Sequence, residues 1–154
     1  MKNIFLARAI SLAIVVFVSY VQAFHLLEFG GVNPNLAAAA ILAASFFEKN
    51  MGVIILFLVA ALAFLLPQPV ITMDLILFSA IMVALIFFDR FAPWPPVFLL
   101  PLTVAVFTAV FYFVTVPGYL LQNYLLAAAE ALYNVLVAYL FLVIFELIYE
   151  TKKT

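Results

Sequence analysis

The sequence is poor in charge and glycine and has no cysteine. Only 8% of its 154 residues are charged and 71% are hydrophobic, whereas soluble chains are about 25% charged and about 45 to 50% apolar. Without cysteine, disulfides, thiol catalysis and cysteine-based metal sites are excluded. The one histidine, His25, cannot supply a metal cluster alone, and no basic run is present to bind nucleic-acid phosphates. The composition therefore predicts an integral membrane protein.

Apolar runs separated by short polar or proline-rich breaks cover most of the chain. About 20 apolar residues in a helix cross a hydrocarbon core of about 30 Å. We predict an all-α integral membrane fold, a single polytopic domain over 1–154, with both termini in the cytoplasm. Its six transmembrane helices are expected at about 9–27, 34–47, 51–66, 71–88, 97–116 and 124–149.

The first run has a rival interpretation as a secretory signal peptide. Lys2 and Arg8 precede its apolar core, and Val21-Gln22-Ala23 is similar to a cleavage site. The apolar run continues past that site to Leu27, which favours a retained helix.

The second and third runs are short for spanning segments, and three arrangements are considered for them. Asn33 as N-cap and Pro34 at the first helical position predict where the second helix starts. One continuous helix would bury Lys49 and place three basic residues outside, against the positive-inside rule. Two short spanning helices are favoured, and a re-entrant hairpin of the same parity stays open.

With six spans, every basic residue of the chain falls on the cytoplasmic side. These residues are Lys2, Arg8, Lys49, Arg90, Lys152 and Lys153. The predicted cytoplasmic edge consists of Lys49, Asp89, Arg90, Lys152 and Lys153. Such an edge can meet anionic headgroups or protein partners.

Polar residues on the last run predict a contact with another protein surface. Glu130, Tyr133 and Asn134 have helical i, i+3, i+4 spacing and therefore share one face. Lipid would penalise that face, so it must meet another helix of the chain or a partner. A hydrogen bond from Glu130 to Tyr or Asn inside the bundle is favoured over a proton relay, because no second buried charge is evident.

Small residues mark a second candidate contact. Ala9 and Ala13 form a small-xxx-small pair on the first helix, a spacing that lets helices approach closely. His25 and Glu28 could form a pH-sensitive pair on the outer rim, although an ordinary polar edge is favoured. No Walker loop, nucleophile–base pair or metal cluster is evident, so we expect neither an enzyme nor a cofactor.

The layout resembles the rod shape-determining MreD family. The resemblance is carried by Pro34-Asn35-Leu36 after the first helix, the charged tip Glu48-Lys49-Asn50 running into Met51-Gly52, and Leu132-Tyr133-Asn134-Val135-Leu136 in the closing run. The chain differs from that family in having Leu66-Pro67-Gln68-Pro69 where a Gly-rich third helix usually ends in an acidic residue.

This resemblance implies a non-enzymatic scaffold of the bacterial inner membrane. Members of the family associate with the single-span MreC and link cytoplasmic MreB filaments to lateral peptidoglycan synthesis, and so contribute to cell shape. The implied partners are membrane lipids, an MreC-like protein and the cell-wall synthesis machinery, and no nucleic acid.

A second family is similar in helix number. The substrate-binding subunits of energy-coupling-factor vitamin transporters also have six helices, and Ala9 and Ala13 look like their coupling motif. That resemblance implies a pocket lined by Tyr119, Tyr124 and Glu130 near the outer helix ends. A small membrane scaffold of another type is the remaining alternative.

Overall fold

The computed structural model describes residues 4–28, 32, 34–65, 72–116, 118 and 122–150. The all-α prediction is confirmed for these residues, which form six helices. Their bounds are α1 (Ile4–Ala23), α2 (Leu36–Ser45), α3 (Met51–Leu65), α4 (Met73–Phe91), α5 (Pro96–Thr115) and α6 (Tyr124–Glu150). Three of them, α1, α5 and α6, are long and apolar enough to cross a bilayer, as in a multi-pass membrane protein.

Helix α1 starts and ends earlier than the predicted range of 9–27. It begins at Ile4 and includes Arg8, whose charge made residues 4–8 look like a polar flank of the apolar run. It ends at Ala23 because His25 takes a left-handed φ of 54°. The N–H of His25 donates to Gln22 O at 3.0 Å and that of Leu26 to Val21 O at 3.2 Å. This is the Schellman pattern of helix termination, with histidine in place of the usual glycine.

Helix α2 is the buried centre of the bundle. Its sequence, LAAAAILAAS, carries no charge, and all of its residues are buried. The alanines favour the helix and also let neighbouring backbones approach closely. Helices α1 and α6 pack most extensively on α2, while α3, α4 and α5 make smaller contacts with it.

The predicted start of α2 at Asn33 and Pro34 is wrong. The helix begins at Leu36, and its N-cap is Asn35, whose side-chain oxygen accepts from Ala38 N at 3.2 Å. Pro34 lies before the cap, where its carbonyl accepts from Leu36 N at 3.0 Å. Asn33 lies outside the described residues. An asparagine stands on each side of the proline, and each is a good capping residue; the helix uses the second.

Helices α2 and α3 are separate, because α2 ends at Ser45 and α3 begins at Met51. They have 10 and 15 residues, lengths of about 15 and 22 Å at the helical rise. The turn between them reaches the end of the bundle where α1 begins and α4 ends, since Glu48 contacts Arg8 and Arg90 contacts Lys49. Helix α2 is therefore antiparallel to α1.

A proline inside α5 is compensated by α6. Pro101 has no N–H, so it cannot donate to the carbonyl of Val97 four residues earlier. The hydroxyl of Tyr139 on α6 donates to this carbonyl at 2.7 Å. In lipid an unpaired backbone carbonyl is costly, so this bond explains how α5 continues from Pro96 through Pro101.

We expect Tyr139→Phe to lower the free energy of unfolding by about 1 kcal/mol, because it leaves the Val97 carbonyl without a donor. The measurement is thermal unfolding of the purified chain in lipid nanodiscs. Tyr133→Phe is the matched control, since its hydroxyl bond to Leu27 O is long, at 3.4 Å. Equal losses in the two variants would contradict a specific role for the Tyr139 bond.

Candidate functional site

Polar side chains gather at the two ends of the buried helix α2. We call the first group the capping cluster; it consists of Gln22, Asn35, Thr108, Tyr112, Glu130 and Asn134. We call the second group the ionic cluster; it consists of Arg8, Glu48, Asn50, Arg90 and Tyr149. Together they contain most of the polar contacts between helices in the described chain.

The capping cluster pairs the first N–H groups of α2 with side chains from three segments. Asn35 N donates to Asn134 Oδ1 of α6 at 2.6 Å, and Ala37 N donates to Gln22 Oε1 of α1 at 2.9 Å. Ala38 N donates to Asn35 Oδ1. A helix N-terminus has four N–H groups without internal partners, and this one is buried. The three side chains therefore hold α2 between α1 and α6.

The predicted polar face of α6 meets α5 and the start of α2. Asn134 is 1% exposed, and its Nδ2 donates to Thr108 Oγ1 at 2.9 Å. One turn earlier on α6, Glu130 accepts from the Tyr112 hydroxyl at 2.5 Å. Both side chains are thus used inside the chain. Of the two contacts that the sequence left open, the described structure contains the one with the chain's own helices.

Tyr133 lies apart from Glu130 and Asn134. It is half-buried, and its hydroxyl makes the long contact to Leu27 O just beyond α1. The Tyr133 side chain therefore lies on the side of α6 next to the end of α1, whereas Glu130 and Asn134 contact α5.

The ionic cluster is built on an ion pair between α1 and the α2–α3 turn. Arg8 Nε and NH2 donate to the two oxygens of Glu48 at 2.6 and 2.9 Å, a bidentate geometry. Glu48 is 2% exposed and also accepts from Asn50 N at 2.8 Å. Burial acts to raise the pKa of the Glu48 carboxyl, but the hydrogen bonds from Arg8 and Asn50 and the Arg8 charge together hold that pKa below its usual value.

Arg90 ties the end of α4 to the same turn. Its NH1 donates to Lys49 O at 2.8 Å and its NH2 to Glu48 O at 3.2 Å. The predicted edge residues Lys49, Asp89 and Arg90 therefore lie together, and Arg8 joins them. Lys152 and Lys153 lie outside the described residues.

Sequence reasoning missed the pairing of Arg8 with Glu48. It placed Arg8 outside the first helix and treated Glu48 as part of a charged tip. The available signal was the charge tally, which put Arg8, Lys49 and Arg90 on one side, where Glu48 is a carboxylate next to an apolar helix. A carboxylate buried as deeply as Glu48, at 2% exposed, requires a partner of opposite charge.

The small-residue pair of α1 faces away from the bundle. Ala9 and Ala13 are both exposed, while the buried side of α1 carries Ser11, Val15 and Ser19. Phe5 and Phe17, at the same four-residue spacing, extend this face in both directions and are exposed as well. We call Phe5, Ala9, Ala13 and Phe17 the α1 outer face.

Of the three residues implied by the transporter resemblance, Tyr124 lines a pocket in the described structure. A groove of about 210 Å³ lies between α5 and α6 and is lined in part by Thr108, Tyr112 and Tyr124. Glu130 is not among its lining residues, and Tyr119 lies outside the described residues. Nearby on the rim, His25 Nδ1 and Glu28 Oε2 are 3.1 Å apart and exposed.

Comparisons of the chain with protein-family models, curated proteins and solved structures gave no match. Within the described ranges, no group of three or more His, Cys, Asp or Glu side chains could hold a metal ion.

Proposed function

We propose that the chain is a non-enzymatic, MreD-like scaffold of the bacterial inner membrane that binds a single-span partner through the α1 outer face. Such a scaffold contributes to cell shape and lateral peptidoglycan synthesis by holding membrane partners together. The observation that carries this proposal is the exposure of Ala9 and Ala13 on α1.

The physical basis is helix packing in lipid. Lipid tails are as apolar as leucine, so helices associate in membranes through close packing and hydrogen bonds rather than through the hydrophobic effect. Two alanines one turn apart let a second helix approach the α1 backbone. The flanking side chains of Phe5 and Phe17 add contact area at either end of this close approach.

The proposed partner contact lies on α1 and not on the polar face of the last helix, where the sequence had suggested one. Glu130 and Asn134 are bonded to α5 and α2, so a partner that used them would first have to break these bonds. The α1 outer face requires no such rearrangement.

The clustering of basic residues supports a membrane orientation with both termini in the cytoplasm. Arg8, Lys49 and Arg90 lie at one end of the bundle, and the positive-inside rule assigns that end to the cytoplasm. The same clustering supports the predicted path of the chain through six helices, of which three are long and apolar enough to cross a bilayer.

The absence of cysteine in the sequence allows a direct test of the contact. We expect Ala9→Cys and Ala13→Cys to form disulfides in membranes with cysteines in the transmembrane helix of a co-expressed MreC-like protein. Ala13→Leu should weaken co-purification of the pair about tenfold, because it blocks close approach, a change of about 1.4 kcal/mol in binding.

Matched controls lie on α4, where Ala80 and Ala84 are exposed at the same spacing. Ala80→Cys and Ala84→Cys should give no crosslink. Equal crosslinking from α1 and α4 would reject a specific α1 contact, and crosslinking from α4 alone would place the contact there.

A second candidate, the vitamin-binding subunit of an energy-coupling-factor type transporter, is also favoured by the exposed Ala9 and Ala13. Small-molecule sites usually measure about 300 to 1,000 Å³, however, and the groove next to Tyr124 measures about 210 Å³. This candidate predicts that a vitamin-sized ligand raises the melting temperature of the purified chain.

A further inference from the structure

Asp89, at the end of α4, is a buried carboxylate that the bundle does not satisfy. It is 8% exposed, and neither of its oxygens has a hydrogen-bond partner among the described residues. Buried carboxylates are normally paired with a cation or hydrogen-bonded, because their desolvation is costly. The nearby carboxylate of Glu48, in contrast, is paired with a cation, because Arg8 donates to both of its oxygens.

A pocket of about 360 Å³ adjoins this carboxylate. Its lining residues are Ser45, Phe46, Glu48, Lys49, Asp89 and Arg90. The pocket therefore lies between the last turn of α2, the α2–α3 turn and the end of α4. The last carbonyl groups of a helix carry partial negative charge, so the end of α2 adds to the negative charge of Asp89.

The two basic residues that line the pocket, Lys49 and Arg90, do not hydrogen-bond to Asp89. Arg90 directs NH1 and NH2 to the backbone carbonyls of Lys49 and Glu48, although it follows Asp89 directly in sequence. Lys49 is exposed. The oxygens of Glu48 are already engaged by Arg8, which leaves Asp89 as the carboxylate in this pocket whose oxygens are buried without a hydrogen-bond partner among the described residues.

The geometry favours a guanidinium over a metal ion. No metal-binding group of three side chains occurs in the described chain, and one carboxylate alone is a poor metal site. Both Asp89 oxygens lack partners, and a planar guanidinium can donate to two carboxylate oxygens at once. The pocket is also large enough for the end of an arginine side chain.

We propose that the Asp89 pocket receives an arginine side chain of a partner protein, with the Asp89 carboxylate as its counter-ion. This second contact involves α4 and the α2–α3 turn and is independent of the α1 outer face. It gives the scaffold a site at the basic end of the bundle that selects a partner by charge.

The first test separates a binding role of Asp89 from a structural one. In the isolated chain, Asp89→Asn should raise the melting temperature in lipid nanodiscs by about 3 to 6 °C, because it removes an unpaired buried charge. Asp74→Asn, an exposed aspartate in the first turn of α4, should not raise it. A lower melting temperature for Asp89→Asn would show an internal partner and would overturn the proposal.

The second test measures binding with N-acetylarginine amide as the probe. At about 20 mM the probe should raise the melting temperature of the unsubstituted chain by at least about 2 °C. N-acetylcitrulline amide, which has the same shape without the charge, should have no effect. The arginine probe should also leave the melting temperature of Asp89→Asn unchanged.

Three further results would overturn the proposal. The first is the absence of any shift with the arginine probe. The second is an equal shift with magnesium or potassium chloride at the same ionic strength, which would indicate a small-cation site. The third is a loss of stability in Lys49→Gln or in the double variant Lys152→Gln/Lys153→Gln that disappears when Asp89→Asn is also present, which would identify a lysine of the chain itself as the occupant.

Discussion

Asn134→Leu is expected to lower the free energy of unfolding by about 3 kcal/mol. The side chain is 1% exposed and accepts from Asn35 N while donating to Thr108 Oγ1. Leucine fills a similar volume but leaves the Asn35 N–H buried without an acceptor. Thermal unfolding in nanodiscs measures the loss.

Two further variants of α6 define the cause. Asn134→Asp keeps an acceptor for Asn35 but loses the Nδ2 donor, so we expect a smaller loss. Glu146→Leu, at an exposed position of the same helix, should have little effect. If Asn134→Leu leaves stability unchanged but abolishes partner binding, the residue belongs to a partner contact and the capping role is wrong.

Glu48→Gln should cost about 2 to 3 kcal/mol. Removing one member of a buried ion pair leaves the other charge uncompensated. The partial exposure of Arg8, at 30% of its side chain, reduces this cost, because water can solvate part of the guanidinium. Glutamine also weakens the acceptor that Asn50 N uses at 2.8 Å.

A double variant separates charge pairing from packing. The double variant Arg8→Met/Glu48→Met should lose less stability than the sum of the losses in Arg8→Met and Glu48→Met, because each single variant leaves one unpaired charge and the double variant leaves none. Additive losses would show that the two side chains do not interact in the bilayer.

The dependence of stability on pH provides a second readout for Glu48. Its pKa is lower in the folded chain than in the unfolded chain, where it is about 4.3. The stabilisation is therefore fully present above about pH 4.3 and is lost as the pH falls through the lower, folded-state pKa. Glu48→Gln should flatten this acid limb of the melting-temperature curve, and an unchanged limb would assign it to other carboxylates.

The apolar runs predicted most helix bounds to within two residues. Prolines and polar turns mark the ends of α3 and α5 in the sequence, and α6 begins at Tyr124 as expected, whereas α4 continues past the predicted end at residue 88 to Phe91. The discrepancy at the start of α1 arises because hydropathy treats Arg8 as a break, whereas Arg8 lies inside the helix and pairs with Glu48; the discrepancy at its end arises from the left-handed conformation of His25.

The sequence alone could not predict most of the contacts in the candidate sites. The spacing of Glu130 and Asn134 predicted a shared polar face but not its partner, since Thr108 and Tyr112 are two among many residues of an apolar run. The N-cap of α2 depends on Asn134, 99 residues away. The lack of a partner for Asp89 could not be predicted either, because Arg90, the next residue, donates instead to the carbonyls of Lys49 and Glu48.

The capping of α2 also has a consequence for the order in which the chain assembles during synthesis. The second helix leaves the ribosome early, but an acceptor for its first turn comes from the last helix, 99 residues later. Until α6 is inserted, Asn35 has no partner from that helix and α2 lacks one of its main neighbours. Closure of the bundle therefore awaits the synthesis of α6, and a chain cut short before α6 would leave its central helix without this neighbour and exposed to lipid.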